Sequence, residues 1–188
     1  MPELLEMGAC LGSDVPFFLH GGAAFVSGRG ELVERISFPG DLWVVLAKPP
    51  FSSGTAAAFA LLDRAREEGV VDSLRPDLSR EKLIRSLEEE PEEWPFWNDF
   101  FTTTNAAIFS AADASANATA FADVYRALIK SLKDFGASFA GLSGAGSCCF
   151  GIFKTENVAE RAVQELNGQG YFTKLTFFLA YRADPVLE

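Results

Sequence analysis

The chain reads as an α+β fold, an antiparallel sheet with helices packed on one face, and three observations carry that expectation. Leu42-Trp43-Val44-Val45-Leu46-Ala47 is an unbroken apolar run of strand length that stops at Pro49-Pro50, as an interior strand does. Between residues 119 and 135, Phe121, Val124, Tyr125, Leu128, Leu132 and Phe135 recur at spacings of three and four, the signature of one buried helix face. After Gly136 the pattern becomes strand, glycine-rich loop, strand, helix, strand. Strand, helices, two strands, helix, strand is the order of a ferredoxin-like layer, expected here for the part beyond residue 41.

Taken in order, residues 2–11 form a helix with Pro2 in its first turn, closed near Gly8 or Gly12. Residues 17–26 and 29–36 read as a β-hairpin, broken at Gly21-Gly22 and turned at Ser27-Gly28-Arg29-Gly30. Thr55 opens a helix that runs to about Glu68 and stops at Gly69. Ser79 caps a second helix through Leu83, Ile84 and Leu87, which ends in the acidic run at Glu88. Residues 91–98, with two Trp and two Pro, form an irregular packed loop. Helices follow over 98–112 and 119–135, then strands Ser138–Leu142 and Cys148–Phe153. Thr155 caps a helix that turns Val158, Ala162, Val163 and Leu166 inward. The last strand places Tyr171, Leu175, Phe177, Leu179 and Tyr181 on one face.

Composition bounds the function. In 188 residues, 48% are apolar and 18 are Phe, enough for one substantial core. A formal net charge of −10 argues against nucleic acid as a partner, because phosphate backbones need a basic face. No apolar run is long enough to span a bilayer, and the first residues lack a basic secretion signal, so a cytoplasmic protein without a membrane partner is expected. Cys10, Cys148 and Cys149 have no metal-binding spacing, and a single histidine makes a zinc site improbable. A reducing compartment fits them.

Two segments carry chemistry. Gly12-Ser13-Asp14-Val15-Pro16-Phe17-Phe18 places a carboxylate at a punctuated turn, where it either takes a proton from a hydroxyl or merely caps the turn. Gly141-Leu142-Ser143-Gly144-Ala145-Gly146-Ser147 offers backbone N–H groups that no bulky side chain shields, a layout that receives phosphate oxygens. Simple turns between strands use glycine too, though a plain hairpin needs only one or two. A proton acceptor together with a phosphate loop is a layout for phosphoryl transfer.

These residues resemble the GHMP kinase superfamily. The landmarks are Leu11–Phe18, residues 24–31 with Gly28-Arg29-Gly30-Glu31, Pro49 to Phe59, Asn98-Asp99, and Gly141–Phe153, in order across nearly the whole chain. The Val-Pro-Phe-Phe and Gly-Arg-Gly-Glu contexts, with Thr55 and Phe59, are most similar to the members that phosphorylate a cytidylated methylerythritol in non-mevalonate isoprenoid synthesis. The resemblance implies an ATP-dependent small-molecule kinase that phosphorylates the acceptor's 2-hydroxyl, with Mg²⁺ accompanying ATP and no protein ligand assigned to the metal.

By the same resemblance Asp14 is the catalytic base and Thr55 and Phe59 bind the substrate's base, the ring stacking on cytosine. Gly141, Ser143, Gly144, Ala145, Gly146 and Ser147 make the phosphate loop. Without the family, Thr55 reads as a helix cap and Phe59 as core. The family's catalytic lysine and its Pro-x-x-x-Gly-Leu-Gly-Ser-Ser-type nucleotide loop have no counterpart here. Residues 1–40 are then expected to be the tail of the N-terminal kinase domain, carrying the base, and residues 41–188 the C-terminal domain. The missing N-terminal domain becomes an implied partner, and the fragment alone is expected to be inactive. The competing readings are a homoserine- or mevalonate-type kinase and a non-catalytic ferredoxin-like ligand-binding module. Lys48 is expected to end its strand in solvent, His20 to be structural, and residues 88–93 to be a solvated charge run.

Overall fold

The computed structural model describes residues 2–38, 41–69, 79–106 and 116–178. The elements in chain order are α1 (Pro2–Leu11), α2 (Val15–His20), β1 (Ala24–Ser27), β2 (Leu32–Arg35), β3 (Trp43–Lys48), α3 (Thr55–Glu67), α4 (Arg80–Ser86), a 3-10 turn (Pro91–Glu93), α5 (Asp99–Ala106), α6 (Ala116–Asp134), β4 (Phe139–Leu142), β5 (Cys149–Phe153), α7 (Glu156–Gly168) and β6 (Phe172–Phe177). They fall into two compact units. The first comprises residues 1–41, 78–90 and 178–188, the second residues 42–77 and 91–177.

The second unit is built on a four-stranded sheet in the order β4-β5-β3-β6, and all three pairings are antiparallel. Counting this unit's strands from β3, the order is the ferredoxin-like one expected from the sequence. Strand periodicity puts Val45, Ala47, Cys149 and Phe153 on one face, all fully buried. Tyr125, Leu128 and Leu132 of α6 and Ala159, Ala162 and Leu166 of α7 pack onto that face as one core. Val158 and Val163 join it partly buried. The helices therefore lie on one face, as predicted.

Phe139 and Phe150 point the other way, and the loop after the 3-10 turn covers them. The Trp94 indole, 6% exposed, lies 6.1 Å from the Phe139 ring, and Phe96 packs edge-on to Phe139 at 5.7 Å. A single-layer sheet with one bare apolar face would be an association hazard. This aromatic loop supplies part of the missing second cover.

In the first unit the structure departs from the sequence reading. The stretch expected as the first hairpin strand, 17–26, is helical over its first half, as α2, and only Ala24–Ser27 is strand, paired antiparallel with Leu32–Arg35. Pro16 in the first turn presets a helical φ, and Phe17, Phe18 and Leu19 carry no β-branch to resist it. Gly21 and Gly22, with φ of 63° and 69°, then end the helix. At the far end of the second unit's sheet, Phe177 keeps the expected face, edge-on to Trp43, but is 55% exposed, while Leu175 reaches the core. Leu179 and Tyr181 lie outside the described residues, as do residues 107–112 of the expected helix 98–112.

The acidic run is more than a solvated face. Ser138, itself buried, donates its hydroxyl to Glu92 Oε1 at 2.6 Å, and Lys154 Nζ lies 3.1 Å from the same oxygen. The Ser138 hydrogen bond, with smaller help from Lys154, holds the Glu92 carboxyl down to about 2, from 4.5. Its contribution to stability is thus complete above about pH 4.5 and is lost as pH falls toward 2. Glu92→Gln should cost less than about 1 kcal/mol at pH 7, since the pair is half exposed, and should flatten the acid limb of a urea-midpoint series over that interval. An unchanged acid limb would show that the pair contributes nothing.

Candidate functional site

Asp14 sits in the first unit at the entry to α2. It occupies the N-cap position, but its backbone is already helical and its side chain makes no capping hydrogen bond. The exposed carboxylate therefore has no local structural duty, and a turn-capping role does not account for it. Its turn is set from across the hairpin. A Cβ on Gly30, whose φ is +122°, would fall 2.2 Å from the Ser13 carbonyl oxygen, so only glycine lets the hairpin tip close on the turn that holds Asp14. Gly28 is similarly confined by the Glu31 carboxylate, which accepts from the Arg29 N–H at 2.6 Å. That carboxyl titrates below its ordinary value because backbone N–H groups of Glu31 and Arg29 donate to it. The Gly-Arg-Gly-Glu sequence is a rigid tip. His20 closes α2 and is half-buried.

The glycine loop lies in the second unit, between β4 and β5. Gly141 belongs to the strand, where it faces Phe150, and the loop proper is residues 143–148. Ser143 N–H donates to the Cys148 carbonyl at 2.8 Å, and Gly146 N–H to the Ser143 carbonyl at 2.9 Å, which closes a tight turn. Gly144 and Gly146 have φ of 52° and 86°, and a Cβ on Gly146 would press to 2.8 Å from the Tyr125 hydroxyl. Ser143 is exposed. Ser147 is not available to a ligand: it is buried, and its hydroxyl donates to the Phe51 carbonyl at 2.8 Å.

Side chains from two other segments grip the loop's carbonyls. Asn98 Nδ2 donates to Leu142 O at 2.9 Å and to Gly144 O at 3.0 Å, while its Oδ1 accepts the Phe101 N–H at 3.0 Å. One amide thus caps α5 and clamps the loop together. Ser53 Oγ donates to Ala145 O at 3.0 Å. With the carbonyls held by these donors, the N–H groups of Gly144, Ala145 and Ser147 have no partner among the described residues. The amides of Gly144 and Ala145, at adjacent positions on the accessible side of the loop, form a donor surface suited to an anion.

Beneath the loop, the Tyr125 hydroxyl is fully buried and makes no well-formed hydrogen bond. Burial pushes its pKa above the ordinary phenol value, and the nearby Ser53 hydroxyl draws it back by less. Cys149 is pushed up to about 12, chiefly by burial, which makes that thiol inert.

Thr55 and Phe59 lie on the first turns of α3. Gly54, not Thr55, is the N-cap residue, and Thr55 is exposed. Phe59 is 49% exposed and packs edge-on against Phe100 at 5.0 Å, so it is not core. Neither bland reading survives. The Phe100 edge steadies a ring whose face can still receive a planar group. Lys48 ends β3 exposed, as expected. Among the described residues no group of three or more His, Cys, Asp or Glu is placed to hold a metal ion, and no helix is long and apolar enough to cross a membrane.

Asn98 was visible in the sequence as part of the Asn98-Asp99 landmark, which a helix cap explains equally well, but nothing local announced its hold on the loop. The contacts of Ser53 and Tyr125 with the loop span 92 residues for Ser53 and join separate elements, so no local pattern announces them.

Comparison with known proteins bears on the fold and the family. Residues 106–171 match the family described as GHMP kinases C terminal. The resemblance read from the motifs therefore holds, and the chain carries a GHMP kinase C-terminal domain. Among curated proteins it is 32% identical over 170 residues to the 4-diphosphocytidyl-2-C-methyl-D-erythritol kinase of Bacillus licheniformis, covering 89% of this chain and 52% of that one. It is 29% identical to the kinase of the same name from Bacillus pumilus, with the same coverage. The chain spans about half the length of the curated relatives it matches. Among solved structures, a 4-(cytidine 5'-diphospho)-2C-methyl-D-erythritol kinase superposes with a TM-score of 0.67 at 24% identity, over 94% of this chain and 57% of that one. The homoserine kinase of Cytophaga hutchinsonii gives 0.53 at 14% identity, over 90% and 52%. At such identities these structures speak for the fold.

The clamp predicts a stability signature. Asn98→Ala removes one cap bond and two loop bonds, which should cost about 2–3 kcal/mol in urea unfolding. Asn98→Asp keeps the cap but sets a carboxylate against two carbonyls, and should be at least as damaging to the loop. An aspartate variant as stable as the parent would mean that the side chain serves α5 alone.

Proposed function

We propose that this chain is the base- and loop-bearing part of an ATP-dependent kinase whose acceptor is 4-diphosphocytidyl-2-C-methyl-D-erythritol. The observation that carries this reading is the gripped loop: its carbonyls are occupied by Asn98 and Ser53, and its N–H groups are left for phosphate oxygens. In the proposed reaction the acceptor's 2-hydroxyl oxygen attacks the γ-phosphorus of ATP as Asp14 accepts the hydroxyl proton, and ADP leaves. Phosphoryl transfer asks mainly for positioning and charge stabilisation, so one uncommitted carboxylate and a donor-rich loop are suitable protein contributions.

The Gly144 and Ala145 N–H groups are assigned to the phosphates, with Ser143 at the loop's exposed start and Ser147 anchoring the loop to Phe51. Gly141 and Gly146 act by shape, one in the strand and one at the turn. Mg²⁺ would neutralise charge on the ATP phosphates, and no described residue is assigned to it. The acceptor assignment rests on Phe59, a half-exposed ring at the start of a helix, with the Thr55 hydroxyl one turn away. Aromatic stacking binds a nucleobase without charge, which suits an acidic chain. The names of the curated relatives support the same acceptor. Cytoplasmic location is part of this proposal.

The test joins this chain to the N-terminal half of the Bacillus licheniformis relative and measures phosphate transfer from ATP to three acceptors. The cytidylated polyol should be preferred over homoserine and mevalonate. Asp14→Asn should lower the rate by about 10²–10⁴ while the fold stays intact. Phe59→Ala should raise KM for the cytidylated acceptor about tenfold or more, with a smaller effect on kcat. Preference for a plain alcohol would remove the acceptor assignment, and an active Asp14→Asn protein would remove the base.

A further inference from the structure

We infer that Tyr125 is a positioning residue for the phosphate loop, acting through a hydrogen-bond chain that runs from its buried hydroxyl to the exposed Gly144 N–H. This rests on the reading of the loop as a phosphate receiver and adds a residue to it. Three links are present. Ser53 Oγ donates to the Ala145 carbonyl at 3.0 Å. That carbonyl shares a peptide unit with the Gly146 N–H, which donates to the Ser143 carbonyl at 2.9 Å. The Ser143 carbonyl in turn shares a peptide unit with the Gly144 N–H, which has no described partner.

Hydrogen bonds in series polarise one another, so an anion that accepts from Gly144 strengthens every link behind it. The effect arrives at Ser53, whose oxygen becomes a better acceptor as its own proton is drawn toward Ala145. The Tyr125 hydroxyl, beside the same Gly146 turn and close enough to the Ser53 hydroxyl for that group to bear on its titration, is the donor assigned to that oxygen. It is wholly buried and unsatisfied, and it lies 2.8 Å from where a Gly146 Cβ would project. Such a group is costly to keep, and phenylalanine would fill the same space without the debt. Phe51 and Phe121, stacked at 4.5 Å beside it, hold the ring in place. In the anion-bound loop the tyrosine hydroxyl donates to Ser53, and the chain is complete. Glycine at 146 is what allows the ring to come this close.

The experiment titrates the 188-residue chain with inorganic tripolyphosphate and follows the Gly144 amide by ¹H–¹⁵N NMR, beside the thermal midpoint of the free protein. The parent should show a downfield, saturable shift of the Gly144 proton. Tyr125→Phe should weaken binding about threefold and shrink that shift, with a thermal midpoint equal to or above the parent's. Ser53→Ala should weaken binding too, and the double variant should be no worse than Ser53→Ala, because one chain is broken in both. If the parent shows no shift, the phosphate reading of the loop falls and this inference with it. If the parent responds and Tyr125→Phe responds identically, this inference alone falls. Weaker binding with a lowered midpoint, or additive losses in the double variant, would mark general loosening and overturn it as well.

Discussion

Asn98 holds together what the second unit needs in order to present its loop. Its side-chain amide makes three bonds, all to backbone: two to carbonyls of the glycine segment and one from the Phe101 N–H in the first turn of α5. A glycine-rich loop loses much conformational freedom when ordered, so its shape has to be imposed from outside. Here side-chain donors impose it by occupying carbonyls. Backbone amides come in fixed ratio with carbonyls, so a loop whose acceptors are engaged from within turns its remaining donors outward. The same bonds that order the loop therefore also give it its chemical sign.

The support beneath this arrangement is ordinary sheet physics. The antiparallel β4–β5 pair is buried on one face by α6 and α7, which fixes register to within a residue because a slip would exchange the two faces. The aromatic loop from Pro91 to Trp97 lies against the other face and delivers Asn98 at its end. Glu92, bonded to Ser138 and Lys154 at the start of that loop, ties it to residues flanking β4 and β5. Packing and site are thus linked through one segment: the residues that cover Phe139 also carry the clamp.

Much of this was legible in the sequence, for identifiable reasons. The strand Leu42–Ala47, the amphipathic α6 and the glycine-bounded α3 each carry a periodicity or punctuation that tertiary contacts do not overturn. The first half of the expected hairpin was misread because Phe17, Phe18 and Leu19 suit a strand and a helix equally, and Pro16 decided for the helix. Phe177 keeps the face that alternation gives it, beside Trp43, but alternation cannot say whether anything covers that face at a strand's end. The two chemical segments, Asp14 and residues 141–147, stood out through residue type. The hold of Asn98, Ser53 and Tyr125 on the loop did not, because it exists only after distant segments meet. Gly141, paired in its strand, and Ser147, bonded to Phe51, show the converse limit, since a motif's letters do not separate the residues that shape a loop from those at its open side.

The charge balance bears on how such a loop can work. With a net charge of −10, the chain as a whole repels phosphate, and lysine-based capture would have to overcome that field locally. Backbone amides avoid the difficulty, because a dipole fixed at hydrogen-bond distance acts over a few ångströms and is little diminished by charges further away. It also discriminates by shape, since its donors cannot follow a misplaced oxygen as a flexible ammonium can. An acidic protein that handles phosphate esters gains selectivity this way, at the expense of long-range attraction. The observed loop has the required character: rigid, small-sided, held by its carbonyls, and with no cationic side chain among its own residues.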